Sequence, residues 1–394
     1  MKYGMKCEWK KVRSGDVIST NTSSYSPKES WSFVNYLDTG NITENVIDKI
    51  QKIDLTAEKL PVRAKRKVKH NSILYSTVRP GQRHYGIVKE QPENFLVSTG
   101  FIVIDVNNKA VDADFFYYLL TQDLYVELLQ SIAEQSVSAY PSIRAADIEN
   151  LEVNLPPLDT QKQIATVLIS IDEKIRINRR INNNLEQQAK AIFKSWFVDF
   201  EPFGNQMPSD WSVSTLGNVS IMGAGGDKPQ NVSPIKTELY QYPIYSNGLS
   251  DEGLYGFSDK AKIFEESVTV SARGTIGFVC LRHIPYTPIV RLVTLIPKTE
   301  IISSKYLYLW LKQLHIAGTG TTQQQLTVPD FKKTKILVPT QEIMTLFTST
   351  VEPIFEKIWA NQSENEKLSS LRNTLLPKLM SGEVDASGGE NLFT

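Results

Sequence analysis

Glu173-Lys174-Ile175-Arg176-Ile177-Asn178 recurs 183 residues later as Glu356-Lys357-Ile358-Trp359-Ala360-Asn361. The same offset relates Asp147 to Asp330, Pro156 to Pro339, Ile171 to Ile354 and Leu185 to Leu368. A repeat on this scale predicts two similar halves related by an approximate two-fold axis. Two similar surfaces suit a partner with two similar sites, and duplex DNA is the obvious candidate.

The repeated hexapeptide sits on a long seam. Ile164, Leu168, Ile171, Ile175, Asn178, Asn182, Leu185, Ala189, Ile192 and Trp196 are spaced mostly by alternating fours and threes, the period of a coiled coil. Adding the offset gives Phe347, Val351, Ile354, Ile358, Asn361, Asn365, Leu368, Arg372, Leu375 and Leu379, with Arg372 the one departure. Thr160, with Gln163 three residues on, is the expected cap of the first helix. Each helix runs nearly 40 residues, about 57 Å at 1.5 Å per residue. Each helix packing on its own globular domain is one reading. The length favours an antiparallel pair, with Ile171, Ile175, Asn178, Asn182 and Leu185 on one seam and Ile354, Ile358, Asn361, Asn365 and Leu368 on the other. Central asparagines in such a seam fix register at a cost in stability.

Outward from the helices, the repeat continues at a falling offset. Trp9 and Gly15-Asp16-Val17 match Trp211 and Gly217-Asn218-Val219. Ser76-Thr77-Val78-Arg79-Pro80-Gly81 resembles Ser271-Ala272-Arg273-Gly274, with Arg79 set against Arg273. Phe116-Tyr117-Tyr118-Leu119 matches Tyr306-Leu307-Tyr308-Leu309. Each copy opens with short β-type runs such as Ser72-Ile73-Leu74-Tyr75-Ser76 and Phe101-Ile102-Val103-Ile104. A helix with core aromatics follows, over residues 112–129 and 303–314, then a polar loop and a proline-bearing stretch. The expected class is α+β, two similar mixed α/β domains separated by a pair of long antiparallel coiled-coil helices, with a pseudo-two-fold internal repeat. The expected boundaries are 1–157 for the first domain, 158–203 for the central helix and linker, 204–339 for the second domain, 340–380 for the distal helix and 381–394 for a flexible tail.

The chemistry of common enzymes is missing. No Gly-Lys-Ser/Thr phosphate loop exists, and Gly223-Ala224-Gly225-Gly226 lacks the flanking strand and acid of a dinucleotide loop. Asn154-Leu155-Pro156-Pro157 is an adenine-methyltransferase motif interrupted by Leu155. Four histidines and two cysteines show no metal-ligand spacing. No catalytic and no metal residue is assigned. The start of the chain has no apolar signal core and no run reaches the length of a membrane span, so the cytoplasm is the expected compartment.

Net charge is zero, 43 basic against 43 acidic residues, so any nucleic-acid footprint must be local. From Lys59 to Lys89 there are nine Lys/Arg and no acid, and from Arg291 to Lys335 seven against two acids. A solvated face is the plain alternative for either run.

Several features together resemble the specificity subunit of Type I restriction–modification systems, over almost the whole chain. They are the globular–helix–globular–helix order, Leu155-Pro156-Pro157-Leu158 with Gln161 and Gln163, Ile171-Asp172-Glu173-Lys174-Ile175, Phe193-Lys194-Ser195-Trp196-Phe197, and Leu375-Leu376-Pro377-Lys378-Leu379-Met380-Ser381-Gly382-Glu383. The resemblance implies two target recognition domains, each reading one half-site of a bipartite double-stranded DNA target across a spacer set by the helix pair. It further implies two modification (methyltransferase) subunits using S-adenosylmethionine and restriction (motor-nuclease) subunits using ATP and Mg, with no cofactor bound by this chain and no membrane partner.

The family does not fix the DNA-contacting residues, so they are chosen on chemistry: cations for phosphates, short polar side chains and Arg/Gln for base edges. The first copy offers Lys65, Arg66, Lys67, Lys69, Ser76, Thr77, Arg79, Arg83, His84, Ser136, Ser138 and Tyr140. The second offers Lys228, Ser246, Asn247, Ser271, Arg273, Thr275, Thr321, Thr322, Gln323 and Gln324. A structural role for Arg79 tied to a local carbonyl stands beside the base-reading role. The DNA-reading subunit of a modification system outside Type I, a stand-alone DNA-modifying enzyme and a coiled-coil protein scaffold are the other readings.

Overall fold

Phe101-Ile102-Val103-Ile104 is apolar at every position because it is covered on both sides. In the computed structural model, which describes residues 9–135, 140–316, 325–384 and 386, Phe101 and Val103 join Leu37, Leu74 and Val97 in one core cluster. Ile102 and Ile104 join Ile73, Tyr75, Phe115 and Phe116 in another. Side chains alternate across a strand, so one sandwiched between two cores keeps no polar face.

The chain divides into two units, Met1–Ile177 with Glu364–Thr394, and Asn178–Ser363. The first unit contains an antiparallel sheet ordered Ile18–Thr20, Phe101–Val106, Ile73–Ser76, Tyr85–Ile87. A mixed sheet is ordered Gln51–Asp54, Phe33–Leu37, Phe95–Ser98, Ala64–Lys67, with its two central strands parallel. The second unit repeats the plan in shorter form. Its antiparallel sheet is Ser220–Ala224, Val293–Pro297, Ser267–Val270, Val279–Arg282, and its mixed sheet is Leu254–Ser258, Tyr242–Tyr245, Thr287–Pro288. In each unit the first strand pairs with the last, Lys10–Arg13 with Glu152–Leu155 and Ser212–Thr215 with Lys335–Val338.

The two long helices are Leu158–Phe197 and Gln341–Met380, 40 residues each. Within the second unit they run antiparallel, Asn182 meeting Asn361 and Phe193 and Phe197 meeting Phe347. Within the first unit they do the same, with Asp172 against Arg372 and Lys174 against Glu364. Arg372 breaks the apolar seam because it holds an ion pair at 2.8 Å with Asp172, whose other oxygen accepts from the Tyr118 hydroxyl at 2.6 Å.

Four expectations are corrected. The helix expected over 112–129 is two, Ala113–Leu120 and Asp123–Glu134. Thr121 N–H and the Gln122 side chain donate back to the carbonyls of the first, closing it. Thr160 is no cap, because the helix already begins at Leu158 behind Pro156-Pro157, and proline favours a helix start. Gln161 instead ties the helix start to its surroundings, accepting from Asp112 N–H and donating to Pro156 O at 2.8 Å. The stretch after Phe197 is packed, with Phe200 and Phe203 against Trp211 at 5.9 and 5.0 Å between ring centres. Residues 381–384 are a structured C-cap: Glu383 N–H reaches Lys378 O at 3.0 Å, with Gly382 left-handed at φ 73° against Trp9.

Candidate nucleic-acid interface

In the first unit the ends of three strands meet a loop at one rim of the sheets. Thr77 N–H and its hydroxyl both donate to Gly100 O, at 2.8 and 2.9 Å, and Thr99 N–H donates to Arg63 O at 2.8 Å. Ile143 N–H donates to Thr77 O at 2.8 Å and Arg79 N–H to Pro141 O at 3.0 Å. The Arg79 guanidinium lies 5.8 Å from the Tyr140 ring centre. Arg63, Arg79 and Tyr140 are exposed there, and among the described residues neither arginine has a carboxylate partner.

The second unit repeats one bond of this rim and builds the rest with different groups. Leu326 N–H donates to Ala272 O at 3.0 Å, as Ile143 does to Thr77. Ala272 N–H donates to Asn247 Oδ1, and Asn247 Nδ2 donates to Val290 O, both at 2.7 Å. Arg273 donates to Gln325 Oε1 at 3.1 Å, and Lys228 stands 5.1 Å from the Tyr255 ring centre. The paired bonds at Thr77 and Ala272 set the local offset at 195 residues. Arg79 therefore corresponds to Gly274, and both are left-handed, at φ 48° and 67°. Arg273 corresponds to Val78. The expected match of the two arginines is one residue out.

Several chosen residues have structural partners. Ser76 and Ser271 are buried. The Ser76 hydroxyl donates to Val78 O at 3.1 Å. Lys67 pairs with Glu29 and lies over Trp31, Lys69 pairs with the buried Asp105 at 3.3 Å, and Arg83 pairs with Asp123 at 2.5 Å and Glu44 at 3.7 Å. With Lys89 on Asp114, four of the nine cations between Lys59 and Lys89 meet acids supplied from outside that stretch. His84 Nδ1 lies 2.7 Å from Ile42 O. Asn247 uses both ends of its amide within the fold. Ser246 is half-buried, with its N–H on Gly253 O at 2.8 Å. Lys65, Lys228, Arg273 and Thr275 are exposed. Arg66 is half-buried with its Nε unpartnered, and burial lowers its pKa. Ser136, Ser138, Thr321, Thr322, Gln323 and Gln324 lie outside the described residues.

Sequence reasoning missed Arg63, the Thr99-Gly100 turn and the equivalent Val290-Arg291 turn. Arg63 belonged to the basic run, and its place just before the strand Ala64–Lys67 was the available signal. Val290-Arg291 carried none, because neither residue type advertises a left-handed turn.

In the seam of the second unit Asn361 Nδ2 donates to Asn182 Oδ1 at 2.7 Å and Asn182 Nδ2 to Ile358 O at 3.1 Å. Asn178 and Asn361 are buried, and Leu185, Ile354 and Ile358 half-buried. In the first unit Ile171 and Ile175 are buried, and Asn365 and Leu368 half-buried.

The family described as "Type I restriction modification DNA specificity domain" matches residues 6–187 and 208–369, once for each copy of the repeat. This chain belongs to that family. It is 28% identical to the Type I restriction enzyme HindI specificity subunit of Haemophilus influenzae, over 96% of this chain and 100% of that protein. It is 27% identical to the MjaIX specificity subunit of Methanocaldococcus jannaschii, over 70% of this chain and 69% of that one. It shares its fold with the Type I restriction–modification S subunit from M. genitalium, with a TM-score of 0.56 at 18% identity, over 96% of this chain and 98% of that one. Among the described residues no helix is long and apolar enough to cross a membrane, and no His/Cys/Asp/Glu group is placed to hold a metal ion.

Proposed function

We propose that this Type I specificity subunit reads a bipartite DNA target, one half-site at the rim of each unit, with the helix pair setting the unread spacer. The carrying observation is the repeated rim, in which one backbone bond recurs, Ile143 N–H to Thr77 O and Leu326 N–H to Ala272 O, beside different exposed side chains. A repeated frame with variable groups suits two half-sites of one chemistry and different sequence. Arg63, Lys65 and Arg79 in one unit, and Lys228, Arg273 and Arg291 in the other, supply cations for phosphates and forks for base edges.

In this reading the chain transfers no methyl group and cuts no DNA. Two modification subunits dock on it and methylate an adenine in each half-site with S-adenosylmethionine. Restriction subunits join for ATP- and Mg-dependent cleavage. Reconstitution tests this. The chain with its modification subunits should methylate duplexes carrying two spaced half-sites, with binding that weakens steeply with salt, and neither component alone should do so. Methyl transfer by the chain alone, or an assembled complex that ignores DNA, would overturn the proposal.

A further inference from the structure

The turn at Val290-Arg291 is held in a conformation its residues disfavour. Both have positive φ, 53° and 60°. A β-branched residue there is a true outlier, and such strain persists only where the surroundings over-determine it. They do so here. Val290 N–H donates to Gly226 O and Arg291 N–H to Gly225 O, both at 2.9 Å, and Asn247 Nδ2 clamps Val290 O at 2.7 Å. Gly225 is required for this approach, since a Cβ there would stand 2.7 Å from Ile289 N and 2.8 Å from its O. The result is an exposed arginine on a fixed backbone, with no ion pair among the described residues.

The ladder pairing Ser76 with Phe101 and Val268 with Leu295 makes Arg291 the counterpart of Gly100. The first unit carries Thr99-Gly100 at this turn, with no long side chain. At this position the two rims differ in backbone as well as side chain, since Val290 and Arg291 have positive φ and Thr99 and Gly100 do not.

We propose that Arg291 reads a guanine in the half-site of the second unit, through paired hydrogen bonds from its guanidinium to the guanine N7 and O6. This rests on the DNA-reading role proposed above. A planar fork on a pre-set backbone suits bidentate recognition, and the flexible lysine ammonium, which can also donate to guanine N7 and O6, holds that geometry less firmly. Asn247 is a positioning residue, holding the turn without reaching DNA.

The test compares Arg291→Lys and Arg291→Gly, each assembled with the modification subunits, by methylome sequencing and by binding across salt. Glycine accepts the native φ at no steric cost, so the turn is kept. Arg291→Gly should lose preference at one G·C pair of one half-site, about ten- to a hundred-fold, and Arg291→Lys should lose part of it, each leaving the other half-site unchanged. Arg291→Lys should keep the wild-type salt slope. If lysine preserves the motif while glycine weakens all sequences equally and lowers the slope by about 0.9, Arg291 contacts a phosphate and the proposal fails. It fails too if both variants keep the wild-type motif, or if the affected half-site contains no guanine. A wild-type complex without a two-part motif would remove the DNA-reading role itself, and that failure shows in the unsubstituted chain.

Discussion

Lys65 and Lys69 lie four residues apart in one basic run, yet the fold gives them different partners. Lys69 meets Asp105, which is 5% exposed and also accepts from Ser72 and Thr22. Lys65 is exposed, and Arg63 beside it joins the rim through Thr99. A cation already matched by a carboxylate releases few counterions when it meets a phosphate. Replacing Arg63 and Lys65 by Gln should lower the log–log salt slope of DNA binding by about 0.9 for each phosphate that is no longer neutralised. Lys69→Gln should leave the slope nearly unchanged and instead cost folding stability, because it strips a partner from Asp105. Equal slopes for the three positions, read by binding titrations at several salt concentrations, would contradict this. The cationic run was legible in the sequence, but its neutralisation was not. Glu29, Glu44, Asp105, Asp114 and Asp123 come from distant segments, and only the folded chain shows which cations they reach.

At the scale of elements, the long helices were legible because a 3.5-residue seam repeated twice is hard to produce by chance. The break at Thr121-Gln122 and the tie at Gln161 were not, since the first rests on local bonds to Tyr117 and Leu119 and the second on a bond to distant Asp112. How the second domain docks on its helix was equally hidden. Lys305, 8% exposed, pairs with Glu266 at 2.7 Å and with Glu352 of the distal helix at 2.9 Å. It also lies 5.2 Å from the ring centre of Trp359, on which His283 stacks at 4.3 Å between ring centres. Lys305→Met should cost about 2–4 kcal/mol, somewhat under the fully buried range because both carboxylates keep some water. Adding Glu266→Gln and Glu352→Gln should recover much of it, and thermal melting of the three-residue variant decides. The Asn182–Asn361 bond makes a different prediction. Asn361→Leu alone strands Asn182 and should destabilise by about 1–3 kcal/mol. Asn182→Leu with Asn361→Leu should melt higher than the single variant yet lose its fixed register, giving more than one gap length in the methylated motif. One gap length in the double variant would show that register is set elsewhere.

For the whole molecule, the duplication carried the architecture, and the family match to both copies agrees with it. Net charge, at 43 against 43, carried almost nothing, because the groups proposed to meet DNA are few and lie at two rims. If the helices set the spacing, lengthening them must move the half-sites apart and nothing else. The pairing of Asn182 with Asn361 requires matched insertions, four residues after Asn183 and four after Ala360, to keep the seam in register. One added turn is about 6 Å of rise and about 40° of net rotation. One base pair is about 3.4 Å and about 35°. The most direct measurement is therefore the methylome of cells carrying the wild-type chain and of cells carrying this double insertion. The predicted result is a two-part motif with both half-sites unchanged and the unread gap longer by one or two base pairs. A continuous motif, altered half-sites, or activity kept on the original gap alone would contradict a bipartite reader spaced by its helices.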